Sequence, residues 1–189
     1  MRNLVLIIIL VWLYLLSVLR RSKTPALYFI FGSIGMFVIL LTISRPYWVW
    51  LFTHAIVEGV NNFSKLINIC RVDTYTGLVE IFCNPAPITM SIDYEHSGIM
   101  ETTAFISLVY FYPIFNRQEK LKWGLFGIVW LYFANIIRLV VVISLVYVFG
   151  NGSFYLANTF AGRMVFYVLL VILYYQAFTY SAVNYRRSL

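Results

Sequence analysis

Charge is scarce in this chain of 189 residues, and its scarcity excludes most soluble folds. Only 11% of the residues are Asp, Glu, Lys or Arg, while 62% are hydrophobic. A soluble domain of this length cannot hide so much apolar surface, so the chain reads as an integral membrane protein over residues 1–189. Histidine and cysteine are scarcer still, with two of each. His54 and His96 stand about forty residues apart and neither cysteine has ligand spacing. No metal and no cofactor is therefore expected. The net charge of +7 does not point to nucleic acid, because most Lys and Arg sit in short clusters at the ends of apolar runs, as topology signals do. Barrel-type alternation, internal repeats and low-complexity segments are all absent. Apolar runs of this kind must satisfy their own backbone groups in lipid, which makes them helices.

The expected fold is an all-α polytopic membrane protein with about five transmembrane helices, an interfacial amphipathic helix and a small extracytoplasmic cap. The spans fall at about 3–19, 26–43, 97–115, 123–149 and 155–183. Each is long enough for an α-helix to cross the hydrocarbon core, which takes roughly 17–25 residues. The first could pass for a signal peptide on length, but Arg20-Arg21 follows it with no small-residue cleavage site, so it is read as retained. Arg20/Arg21/Lys23, Arg117/Lys120/Lys122 and Arg186/Arg187 all fall on one side, which puts the C-terminus in the cytoplasm and the N-terminus outside. Residues 45–95 are then extracytoplasmic. Within them, 47–68 sets Trp48, Leu51, Ala55, Val60, Phe63 and Ile67 against His54, Glu58, Asn61, Asn62 and Lys65, the pattern of a helix lying in the interface. Leu78 to Phe82 and Ile88 to Ile92 are short β-prone runs of a hairpin-like cap. Cys70 and Cys83 lie on the outer side in this scheme, where a disulfide is permitted; Cys83 as a nucleophile folded over a pocket is the alternative.

Three polar interruptions stand out against this background: Glu95-His96-Ser97-Gly98, Asn135-Ile136-Ile137-Arg138 and Asn158-Thr159-Phe160-Ala161-Gly162-Arg163. The topology brings all three to the outer half of the membrane. Arg138 is about 15 residues into the fourth span, roughly 22 Å from its cytoplasmic start. A charged Arg at such depth costs about 2.5 kcal/mol or much more, so it faces a partner or a wet cavity. Asn135 and Arg138 share a helix face, as do Asn158 and Gly162. One reading is structural: Arg138 pairs with Glu101 to tie two spans, and Arg163 reaches outward to the headgroups. The other is an anion-stabilising site, in which two guanidiniums hold a developing oxyanion or a phosphate and His96 is base or nucleophile.

At these residues the chain resembles the exosortase/archaeosortase family, in particular its Gram-positive XrtG-type branch. Residues 90–180 carry the likeness. Glu95-His96-Ser97-Gly98-Ile99 lies where the family has Cys-Ser-Gly, Asn135-Ile136-Ile137-Arg138 matches Asn-x-x-Arg, and Gly162-Arg163 matches the arginine of the last motif. The resemblance implies a multi-pass protein of the bacterial plasma membrane that processes or transfers surface proteins bearing a C-terminal sorting signal. It implies transition-state stabilisation by Arg138 and Arg163, with Glu95, Ser97, Asn135 and Asn158 around them. Implied partners are membrane lipid, tail-anchored surface proteins or a lipid-linked acceptor, and a glycosyltransferase. The chain departs from the family where His96 takes the position of the nucleophilic Cys and Asn158 that of a frequent His. Three outcomes stay open: a non-catalytic binding or assembly partner, processing by another nucleophile such as a water activated by His96 or the nearby Cys83, and chemistry on a polyprenyl phosphate.

Overall fold

The computed structural model describes residues 2–44, 48–67, 69–83, 86–92 and 98–180. The protein is mostly helical, 79%. Helix α1 (Arg2–Arg21) turns at Ser22-Lys23 into α2 (Pro25–Ser44), with Pro25 in the first helical position, where its missing N–H costs nothing. Helix α3 (Trp48–Ile67) leads to strands β1 (Cys70–Asp73), β2 (Leu78–Ile81) and β3 (Ile88–Ser91). Then come α4 (Ile99–Phe111), α5 (Arg117–Phe149) and α6 (Asn151–Thr179). Among the described residues three helices are long and apolar enough to cross a membrane: Pro25–Ile43, Arg117–Phe149 and Asn151–Thr179.

Among the helix boundaries that differ from the sequence expectation, two do so for a clear local reason. The helix expected over 97–115 is the shorter α4, because Pro113 forces Tyr112 into an extended conformation with ψ 121°. At 13 residues it is about 20 Å long. The helix expected from Trp123 begins six residues earlier, at Arg117. The backbone N–H of Asn116 donates to Glu119 Oε2 at 2.8 Å, so the polar turn is the first turn of α5. Lys120 Nζ reaches back to the carbonyl of Tyr110 at 2.6 Å, joining the two helices across their short connection.

The β-prone runs form a three-stranded antiparallel meander in the order β1-β2-β3, with Cys70 opposite Ile81 and Val79 opposite Met90. The strand β1 goes beyond the expected hairpin. Asp73 builds its turn: Oδ1 accepts from the Tyr75 amide at 3.0 Å and Oδ2 from the Thr76 hydroxyl at 2.7 Å. The Thr76 hydroxyl and the Tyr75 amide hold the Asp73 carboxyl below its usual range. Both cysteines are free. Cys70 is buried in the sheet, and burial pushes its thiol up. Cys83 Sγ donates to the Ala86 carbonyl at 3.1 Å.

The buried side of the molecule forms two apolar cores stacked along α5. One joins Ile56, Val57 and Val60 of α3, the inner face of the sheet, and Leu139, Val142, Ile143 and Val146 of α5. Of the expected apolar face of α3, Val60 is buried and Phe63 packs on this core, while Trp48 and Leu51 near the helix start are exposed and Ile56 and Val57 are covered in addition. The other core joins Phe105 and Val109 of α4, Leu131 and Ala134 of α5, and Phe166, Leu173 and Ala177 of α6. Phe105 is fully buried and packs on Gly127, where no side chain could fit. Phe105→Ala is expected to cost about 3–5 kcal/mol, whereas Leu125→Ala on the exposed surface should stay within about 0.5 kcal/mol. Thermal unfolding of the two variants in detergent separates them.

Candidate functional site

The polar residues of α5 sit at the junction of the two cores. Leu131 and Ala134 belong to one core and Leu139 and Val142 to the other, and Asn135 and Arg138 fall between them. Both are buried, Asn135 at 2% exposure and Arg138 at 7%. Three residues apart on one helix, they share a face.

The other two motifs reach this pair through their glycines. Gly98 precedes α4 in a left-handed conformation, φ 64° and ψ 14°. A Cβ there would run into Asn135 Nδ2, so both the backbone and the close approach demand glycine. Gly162 of α6 has the same function on the opposite flank. A Cβ on it would lie 2.6 Å from Val142 Cγ2 and 3.4 Å from Arg138 Cγ. Gly98 and Gly162, one from each of the other two motifs, therefore pack on the Asn135–Arg138 face.

Helix α6 is wound unevenly around this point. Ala157–Ala161 forms a π-helical turn, after which Gly162–Tyr174 is regular α-helix. The widened turn carries Asn158, whose Oδ1 is buried without a hydrogen-bond donor among the described residues, as is Asn135 Oδ1. Phe166 lies one turn beyond Gly162, with the Arg138 guanidinium carbon 5.9 Å from its ring centroid, within reach of a cation–π attraction. Phe166 was not singled out from sequence, yet Asn158, Gly162 and Phe166 recur every four residues, the period of one helical stripe.

Arg163 is placed differently. It is exposed, one residue past the inward-facing Gly162. Successive helical residues point about 100° apart, so Gly162 and Arg163 cannot both face α5. Arg138 and Arg163 thus sit in different surroundings. Glu95, His96 and Ser97 lie outside the described residues; Glu101 is half-buried in the first turn of α4. His54 is half-buried beside Trp50, ring centroids 4.5 Å apart. Among the described residues no cluster of three or more His, Cys, Asp or Glu could hold a metal ion.

A cleft of about 830 Å³ opens at the far end of α5, lined by Phe82, Cys83, Pro87, Tyr147, Phe149 and Gly150. Arg138 does not line it; nine residues of helix, roughly 14 Å, separate Arg138 from Tyr147. The chain matches no protein-family profile, no curated protein and no solved structure.

The contact between Gly98 and Asn135 is open to a direct test. Gly98→Ala should destabilise the protein by about 2 kcal/mol or more, from left-handed strain plus the collision. Adding Asn135→Ala should recover the collision but not the strain, giving a coupling on the order of 1 kcal/mol in a double-mutant cycle. Additive effects would show that the two residues do not touch.

Proposed function

We propose that the chain is an exosortase-like protein of the bacterial plasma membrane, acting on the C-terminal sorting segment of surface proteins at a polar site centred on Arg138. The supporting observation is the packing of Gly98 and Gly162, from two separate motifs, against the buried Asn135–Arg138 face. A guanidinium at low dielectric is suited to hold the oxyanion that develops when a peptide carbonyl is attacked. His96 stands two residues before Gly98 in the chain. An acyl-imidazole is hard to form from an unactivated amide, so His96 serves better as general base. It takes a proton from water as the water oxygen bonds to the carbonyl carbon, and returns that proton to the amine as the C–N bond breaks. Asn135 and Asn158 carry buried acceptor oxygens that suit the N–H groups of a bound peptide. The topology in this proposal has five spans, with α1 and α4 joining the three long helices, the sheet outside and the C-terminus in the cytoplasm.

A second reading follows from Arg163. An exposed guanidinium next to the site is suited to a lipid-linked phosphate at the outer headgroups, which would make the chain a binding partner or an enzyme of polyprenyl phosphates.

The test compares membrane and surface fractions from cells carrying the wild type, Arg138→Ala, Arg138→Lys and His96→Asn, scoring protein C-termini and polyprenyl-linked lipids by mass spectrometry. Arg138→Ala is expected to slow processing by about 10²–10³-fold, with partial rescue by Lys and none in His96→Asn. Accumulation of a lipid species alone favours the second reading. Unchanged C-termini and lipids with a folded Arg138→Ala protein overturn both catalytic readings. Topology is tested separately in a Cys70→Ala/Cys83→Ala background. A cysteine at Asn151 should react with an impermeant maleimide in intact cells, and one at Ser22 only after permeabilisation.

A further inference from the structure

Helices α1, α2 and α4 leave a groove of about 630 Å³ between them, walled by Leu13, Leu16 and Ser17 of α1, Met36 and Ile39 of α2, and Phe111 of α4. Its floor is held by aromatic contacts. Trp12 Nε1 donates to the Phe31 carbonyl at 3.0 Å, and the Phe111 ring meets Trp12 and Tyr28 edge-on at 6.3 and 5.5 Å. A second cleft of about 360 Å³ surrounds the α1–α2 turn, at Lys23, Thr24 and Pro25. Arg20 and Tyr28 line both clefts, so the apolar groove opens straight onto the basic turn.

The shape has a direction. From Tyr28 to Leu40 the groove follows α2 for twelve residues, about 18 Å, which is on the order of one leaflet of a hydrocarbon core roughly 30 Å thick. One end is apolar, and the other carries Arg20 and Lys23, both exposed. No acidic residue occurs from position 1 to 57, so nothing in α1, α2 or their turn neutralises these cations. Arg117 and Lys120 of α5 line a neighbouring cleft that also contains Tyr110, and Tyr110 lines the groove as well. The acid of that turn, Glu119, accepts from the Asn116 backbone.

We propose that this groove binds one anionic phospholipid, an acyl chain lying along α2 and the phosphate held by Arg20 and Lys23. A zwitterionic lipid would bring its ammonium group against the same unneutralised cations, whereas a phosphatidylglycerol headgroup adds no positive charge. The proposal rests on α1 and α2 being spans, and the labelling at Ser22→Cys tests that independently.

The experiment is native mass spectrometry of the full chain in neutral detergent, titrated with dioleoylphosphatidylglycerol or dioleoylphosphatidylcholine. The wild type should retain phosphatidylglycerol on the order of tenfold more tightly, as expected for two basic groups at the headgroup level. Arg20→Gln/Lys23→Gln, both at exposed positions, should bring the two lipids to parity. Ser17→Phe, which fills the groove and leaves the charges, should weaken both. Equal retention by the wild type, a preference that survives the double Gln variant, or binding indifferent to Ser17→Phe each overturns the proposal. So does a dimer, in place of bound lipid, that Ser17→Phe dissociates.

Discussion

The burial of one guanidinium constrains this structure more than any other interaction. Arg138 is carried in the middle of a 33-residue helix, with apolar cores on both sides of it. Burying such a group in an apolar span costs from about 2.5 kcal/mol upward, and its surroundings are adapted to that cost. The Phe166 ring offers its face, Asn135 adds a polar group one turn away, and α6 widens into a π-turn beside the pair. Glycine stands where the start of α4 and the stripe of α6 pack on α5, at Gly98 and Gly162. A larger residue at either place would collide with a side chain of α5, Asn135 or Val142, and force it to shift. The short α4 contributes as well. Its N-terminus lies against Asn135, so the positive end of its dipole and the Arg138 charge fall within about a turn of each other along α5.

Much of this was legible from the chain. The polar interruptions of apolar runs located the Asn135–Arg138 face, because a charge in a long apolar helix has few tolerable environments. Their convergence is an expectation from alternating basic turns, and of the two flanking motifs it is Gly98 and Gly162 that pack on this face. Other features depend on short-range chemistry that hydropathy averages away. Pro113 ends α4 through its effect on Tyr112, and Glu119 starts α5 through one bond to the Asn116 amide. Both lie in stretches that composition reads simply as a polar turn. The strand β1 is hidden because Arg71 and Asp73 face out while Cys70 faces in; its pairing becomes clear only once Asp73 is seen to organise the turn to β2. The orientation of Arg163 is a matter of helical period. With Gly162 facing α5, the next residue must point elsewhere, and adjacency in sequence separates the two in space.

The two cores also differ in chemistry, and the difference bears on what holds the molecule together. The core shared by α3, the sheet and the C-terminal part of α5 is mostly aliphatic, dominated by Ile and Val. Such a core gains from being withdrawn from water. The core shared by α4, α5 and α6 is ringed by aromatics: Phe105, Phe115, Tyr112, Trp130, Tyr174 and Phe178. In a bilayer, withdrawing aliphatic surface from lipid gains little, so close packing and hydrogen bonds between helices carry more of the stability. The observed bonds fit that regime. Trp130 Nε1 donates to the Leu169 carbonyl at 3.0 Å and Tyr112 Oη to the Phe178 carbonyl at 3.3 Å. Each joins one helix, or its end, to the backbone of another.

The same device crosses the junction itself. Tyr132 Oη donates to the Ala55 carbonyl of α3 at 3.1 Å, and Gly59 of α3 lies against Ile136. Helix α3 is thereby pinned to α5 at residues 132–136, one turn from Arg138. That contact ties α3 and the sheet to α5, because α3 also packs against β1. A shift of the sheet would pull on the helix that positions Asn135. The polar face of α5 is therefore held from three directions, by α3, by the Gly98 end of α4 and by the Gly162 stripe of α6.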